Sequence, residues 1–117
     1  MPDFILINLG LNDQHCSSDE FVDAYNALLR EIRKHCPRTR IFAMRPFHGS
    51  RYHGDDVAEA VKKMADPEII YINSDGWLDE KDYADGVHPN VTGSQKAAAR
   101  LTEFLQPNLT RWRRKTQ

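Results

Sequence analysis

The chain has 117 residues, 28% charged and 40% apolar, with a formal net charge of −1. That is the size and balance of one globular, water-soluble domain, and the near-neutral charge argues against nucleic acid as the main partner. The longest apolar run, Phe4 to Leu9, is far too short to span a bilayer.

No signal peptide is recognisable. Met1-Pro2-Asp3 leads straight into the apolar run, so further coding sequence upstream is expected and the compartment stays open. Phe4-Ile5-Leu6-Ile7-Asn8-Leu9 predicts a parallel strand buried on both faces. Gly10, just after it, permits backbone conformations closed to other residues. Ser17-Ser18-Asp19-Glu20 predicts a capping box with Ser17 as N-cap and Glu20 at N3. The helix that follows places Phe21, Tyr25, Leu28, Leu29 and Ile32 on one face and stops at Pro37. Cys16 and Cys36 flank this helix, roughly 27 Å long at its standard rise. A disulfide needs Cα atoms within about 7 Å, so free thiols are expected.

Ile41-Phe42-Ala43-Met44 predicts a second strand, closed by Pro46. His48 to Gly54 predicts a loop, and Asp55 the cap of a second helix with an inner stripe of Val57, Ala60, Val61 and Met64, ended by Pro67. Ile69-Ile70-Tyr71-Ile72 predicts a third strand. Asn73 to Asp85 is a long irregular connection with room for one short turn. A final helix starts at Asn90 or Thr92, turns Ala97, Leu101, Phe104 and Leu105 inward, and ends at Pro107. Arg111-Trp112-Arg113-Arg114-Lys115 then predicts a frayed, solvated basic tail. The expected division is one domain over 1–107 and a tail over 108–117. Strands alternating with helices predict an α/β fold with a parallel sheet. Three strands are few for such a sheet, and an open edge formed by so apolar a first strand invites association.

Two segments carry chemistry. In open α/β sheets, sites form beyond the carboxyl ends of the strands. Gly10-Leu11-Asn12-Asp13 follows the first strand and Asp85-Gly86-Val87-His88-Pro89-Asn90 follows the third, so both are expected on one rim of the sheet. A carboxylate three residues before a histidine can fix its tautomer for general-base work: Asp85 would hold His88. The Asn12 amide would donate to an oxyanion, a contact worth about 2.7–4 kcal/mol in catalysis. Gly10 would let the backbone turn close to the substrate. His48, His53 and Asp55 are close in sequence, with His15 a further candidate, but they fit no strong metal-ligand spacing and predict a solvated loop; no metal is expected. Asn90-Val91-Thr92 and Asn108-Leu109-Thr110 match the glycosylation pattern, but a glycan on Asn90 would crowd His88.

Pro2-Asp3 through Asp13 resembles the third conserved block of the SGNH, or GDSL-type, hydrolases, and Asp85 to Asn90 resembles their fifth. The chain is similar to the back portion of such a domain. The resemblance implies a flavodoxin-like three-layer α/β/α fold, here incomplete with about three parallel strands. It also implies serine-type hydrolysis of acyl or acetyl esters without a cofactor, in a family whose members are often secreted. Carried over by position, Asn12 and Gly10 match the oxyanion segment, and Asp85 and His88 the catalytic acid and base. Asp13 matches the block in a structural role. Arg45-Pro46-Phe47 and Asp75-Gly76-Trp77-Leu78 resemble carbohydrate-acting esterases of the family, which implies a small-molecule or carbohydrate ester as substrate; Trp77 itself is expected in the core.

The family's Gly-Asp-Ser block, which supplies the nucleophile, does not occur, and neither does its second block. Ser74-Asp75-Gly76 has the reverse order and follows the last strand; Ser50 and Ser94 lack a strand-to-turn setting. The expectation is an esterase chain without its nucleophile, inactive in isolation. The alternatives are a catalytically inactive ester- or sugar-binding module, or one part of a split enzyme.

Overall fold

In a computed structural model, residues 1–116 are described. The order of elements is β1 (Phe4–Ile7), α1 (Ser18–His35), β2 (Arg40–Met44), α2 (Gly54–Met64), β3 (Ile69–Ile72) and, after a 3-10 turn at Glu80–Asp82, α3 (Val91–Thr116). The chain divides into two compact units, Met1–Ser74 and Asp75–Gln117. The first is an α/β unit built on a parallel sheet in the order β1-β2-β3, with Phe4 opposite Arg40 and Ile41 opposite Ile69.

The central strand is β2, all five of whose residues are buried. Its side chains alternate between faces. Ile41 and Ala43 join the core made with Ile7 of β1, Ile69 of β3, Phe21, Val22, Tyr25 and Leu29 of α1, and Val57 and Ala60 of α2. Leu29 is wholly buried, a burial that contributes about 1.5–3 kcal/mol. β1 is an edge strand in this sheet, with Leu6 37% exposed. Its sequence is that of an interior strand, and it ends at Ile7, two residues before the apolar run does.

The start and stop of α1 follow the sequence. Ser17 Oγ accepts from Glu20 N at 3.1 Å, satisfying one of the amides that a helix start leaves open. The helix closes at Cys36, just before Pro37. Its inner face differs in one respect: Leu28 is 36% exposed, whereas the polar Asn26 is buried and donates through Nδ2 to Ala60 O at 2.7 Å. A buried amide needs such a partner, and here it ties α1 to α2. Both cysteines are free thiols.

α2 departs from expectation at its start. His53, not Asp55, occupies the N-cap position, in the left-handed conformation (φ 62°, ψ 20°). Asp55 sits in the first turn and receives Arg45 Nη1 at 2.7 Å. Arg45 is itself buried, and its Nη2 donates to Ser50 Oγ at 3.2 Å. A side chain at Gly49 or Gly54 would collide with the Arg45 guanidinium. The 48–53 turn is therefore wrapped around an arginine rather than dispersed in solvent.

In the second unit, α3 does not stop at Pro107 but continues through it to Thr116. Proline removes one ladder bond from a helix interior. The turn around it carries extra side-chain bonds to the backbone: Asn108 Nδ2 to Phe104 O at 2.7 Å and Thr110 Oγ1 to Gln106 O at 2.9 Å. Arg111 to Arg114, expected in a frayed tail, are helical. Ala97, Leu101, Phe104 and Leu105 are half-buried, as their spacing predicts for an inner stripe. No helix among the described residues is long and apolar enough to cross a membrane.

Candidate functional site

The Gly10–Asp13 segment is a tight turn at the carboxyl end of β1. Gly10 has φ 135°, a region that side chains oppose. An added Cβ would also press on Tyr52 O at 3.1 Å and Pro46 Cγ at 3.2 Å. Asp13 N donates to Gly10 O at 3.3 Å, and Asp13 O accepts from Cys16 N at 3.1 Å. Asn12, at the turn's tip, is exposed. The backbone is thus bonded on both sides of the exposed Asn12.

The second segment is the tip of a small hairpin. Tyr83 and Pro89 form an antiparallel bridge. Ala84 N donates to His88 O at 2.8 Å, and Asn90 N to Asp82 O at 2.8 Å. Across the tip, both oxygens of Asp85 accept hydrogen bonds from its own loop. Oδ1 accepts from Val87 N at 2.9 Å and His88 N at 2.6 Å; Oδ2 lies 2.7 Å from His88 Nδ1. A carboxylate only accepts, so Nδ1 carries the proton and Nε2 presents its lone pair. The donations from the His88 backbone and ring, with that of Val87 N, hold the Asp85 carboxyl well below its usual range. Asp85 therefore stays ionised beside the imidazole at any pH near neutrality.

The hairpin is anchored from below. Asp82 is buried; its Oδ2 accepts from Asp79 N at 2.8 Å and Lys96 Nζ at 3.0 Å. Those donors, with the Asp79 amide foremost, lower its pKa. Asn90 begins α3: its Oδ1 accepts from Gly93 N at 2.9 Å while its Nδ2 donates to Lys81 O at 2.9 Å. The Asn90 amide is thus committed to the fold. Asp82, Lys96 and Asn90 together fix where the loop leaves and where α3 begins.

Gly10 and Asn12 belong to the first unit, and Asp85 and His88 to the second. Within the second, the structure brings Asp85 and His88 into direct contact, as their spacing predicts. The serines weighed as nucleophiles in the first unit are occupied: Ser74 is buried and donates to Arg45 O at 2.7 Å, and Ser50 meets Arg45. Trp77 is half-buried rather than in the core. Among the described residues, no three His, Cys, Asp or Glu side chains gather into a group that could hold a metal ion.

One residue read from sequence as a solvated loop histidine is something else. His53 has a side chain only 10% exposed and is stacked on Phe21, ring centres 4.3 Å apart and planes 3° from parallel. Its Nδ1 lies 2.7 Å from Asp56 Oδ2 and its Nε2 2.6 Å from Asp13 O. The signal in the sequence was His53-Gly54-Asp55-Asp56, a histidine three residues from a carboxylate, the mirror of Asp85 and His88.

The family model for the GDSL-like lipase/acylhydrolase family matches residues 1–96. The cellulase/esterase CelE of Acetivibrio thermocellus is 26% identical over 119 residues, covering 93% of this chain and 15% of that protein. A family two carbohydrate esterase from Clostridium thermocellum, solved in complex with cellohexaose, superposes with a TM-score of 0.75 at 27% identity, covering 95% of this chain and 37% of that one. A mutant acetyl esterase solved with an acetate ion shares the fold at 21% identity, with a TM-score of 0.70 over 93% of this chain and 59% of its own. The chain therefore spans less than two thirds of each of these relatives, from 15% to 59% of their own lengths. The match over most of its length, together with the two loops it contains, shows that the chain belongs to the GDSL-like lipase/acylhydrolase family.

Proposed function

We propose that the chain supplies the general base, its carboxylate and the oxyanion asparagine of a serine-type carbohydrate esterase, with the nucleophilic serine contributed from outside these 117 residues. The observation that carries this is the Asp85–His88 contact, 2.7 Å from Oδ2 to Nδ1, which leaves Nε2 as the basic nitrogen. In the reaction, Nε2 accepts the serine hydroxyl proton as the oxygen bonds to the ester carbon. The carbonyl electrons move onto oxygen, which the Asn12 amide receives. Collapse of the intermediate breaks the bond to the sugar oxygen, which takes the proton back from His88. Water then repeats the cycle on the acyl-serine and releases the acid. Asp85 remains a carboxylate throughout and steadies the imidazolium.

The substrate class follows the relatives: a cellulase/esterase and a carbohydrate esterase solved with cellohexaose favour an acyl ester borne on a sugar. The cellohexaose complex also favours a second reading, in which the chain holds a sugar without turnover. Two proteins separate these, the 117-residue chain and one extended upstream through a Gly-Asp-Ser strand, both assayed on p-nitrophenyl acetate and acetylated cello-oligosaccharides. The short chain is expected at background, indistinguishable from its His88→Ala form. The extended protein is expected to turn over and to lose on the order of a thousandfold or more with His88→Ala. Robust hydrolysis by the short chain that His88→Ala abolishes would overturn the assignment of an external nucleophile. An upstream reading frame with no Gly-Asp-Ser strand, combined with saturable oligosaccharide binding, would favour the binding module.

A further inference from the structure

His53 faces two groups that can only accept a hydrogen bond: a carboxylate oxygen of Asp56 at 2.7 Å and the peptide oxygen of Asp13 at 2.6 Å. A neutral imidazole has one N–H and one lone pair. In either neutral tautomer, one of these two contacts would oppose lone pair to lone pair inside a site that is 10% exposed. Only the imidazolium, with two N–H groups, satisfies both. Phe21 lies flat against the ring at 4.3 Å, which favours a cation over the π-face. The ring also springs from a left-handed N-cap residue, a backbone state uncommon among non-glycine residues.

From this geometry we infer that His53 is a protonated tether that binds the Gly10–Asp13 turn to the first turn of α2, and so acts as a positioning residue for Asn12. The part concerning Asn12 rests on the oxyanion role proposed above. The tether itself does not. Asp13 O lies one residue beyond Asn12, and the same oxygen accepts Cys16 N, so releasing the ring frees one of the two bonds that fix the turn on its carboxyl side.

The charged groups around the ring fit a cation. α2 presents Asp56 directly, and Asp55, which is paired with Arg45. The β1–α1 loop presents Asp13. Two cations oppose the charged ring: Arg51 of the 48–53 turn, which lines the same cavity as His53, and the buried Arg45 guanidinium under Gly54, whose charge is met by Asp55. α1 presents the uncharged Phe21. Gln14, Ser18 and Arg51 line a polar cavity of about 270 Å³ that also borders His53. Burial works against the charged form, but the bonds to Asp56 and to Asp13 O outweigh it and raise the His53 pKa above the ordinary value. A raised value means that the tether is complete below about pH 6.5, the unfolded histidine value. It is lost as pH rises through the higher folded one.

Imidazole and amide NMR of the 117-residue chain tests this without any turnover. The expected spectrum at pH 6.5 shows both His53 nitrogens protonated. On raising the pH, the ring is expected to titrate later than a free histidine, and the Asn12, Asp13 and Cys16 amides to shift with the same midpoint. His53→Gln can donate at only one end; it is expected to abolish that midpoint and to speed exchange of the Cys16 amide about tenfold. A His53 ring with one protonated nitrogen at pH 6.5 would overturn the inference. So would a His53 titration that moves no amide in the turn. In the upstream-extended enzyme, His53→Gln is expected to lower kcat more than it raises KM and to remove an alkaline limb from the pH profile. If the NMR result holds and this kinetic effect is absent, the tether stands and the role of Asn12 fails.

Discussion

Asp85 is ionised because its own loop makes it so. Three donors within two to three residues converge on its two oxygens, and among the described residues none comes from elsewhere in the chain. A carboxyl whose folded pKa is depressed contributes stability that is fully present above about pH 3.9, its unfolded value. That contribution is lost only as pH falls through the lower folded value. The protonation step of the Asp85 carboxyl itself, read from its side-chain carboxyl 13C signal, is therefore expected only below about pH 4. Asp85→Asn should erase that acid transition and mix the two His88 tautomers, as imidazole 15N shifts would report. The pair was legible in the sequence because its geometry is local: a carboxylate, a glycine that turns and a histidine at fixed spacing. His53 was not, although it too has a carboxylate three residues away. What defines it is a stacked ring from α1 and a peptide oxygen forty residues earlier in the chain. Spacing along the chain carries no trace of those.

Elements were legible where the chain announces its own ends. Ser17 caps α1, Pro37 and Pro67 follow helix ends, and β3 falls on Ile69–Ile72 as its apolar run predicts. Ser17→Ala is expected to cost about 1 kcal/mol of stability, measured by denaturant unfolding. Two boundaries obeyed tertiary demands instead. The start of α2 is set by the buried Arg45 guanidinium beneath Gly49 and Gly54. Gly54→Ala shows which effect dominates there: alanine favours helix by about 1 kcal/mol, yet its Cβ would lie 2.6 Å from Gly49 Cα and 2.7 Å from Arg45 Cζ. Overpacking of that kind costs about 1–3 kcal/mol, so the variant is expected to be less stable despite its better propensity. Pro107 makes the opposite case. It lies inside α3, where proline costs up to about 3 kcal/mol relative to alanine. Pro107→Ala should increase helicity by circular dichroism and raise the thermal midpoint.

At the scale of the molecule, the order β1-β2-β3 leaves the β1 side of the sheet unpaired among the described residues, and Leu6 is exposed on that strand. An apolar edge of this kind is a template for another strand. Sedimentation is expected to show concentration-dependent association of the 117-residue chain, suppressed by Leu6→Lys. The alternation of strand and helix made the parallel sheet legible, and the small number of strands made an open edge at β1 expected; the run of isoleucine and leucine by itself reads the same in the middle of a sheet as at its border. The strand order also sets the kinetics of Met1–Ser74. Neighbours in this sheet are neighbours in the chain, with Phe4 meeting Arg40 and Ile41 meeting Ile69, so each pairing closes a loop of similar length, roughly thirty residues. Closure entropy grows only with the logarithm of that length, and neither pairing has a head start. Both need β2, so the barrier to refolding should be crossed with that strand already docked, and truncations at Ile41 or Ala43 should slow refolding more than those at Ile7 or Ile69.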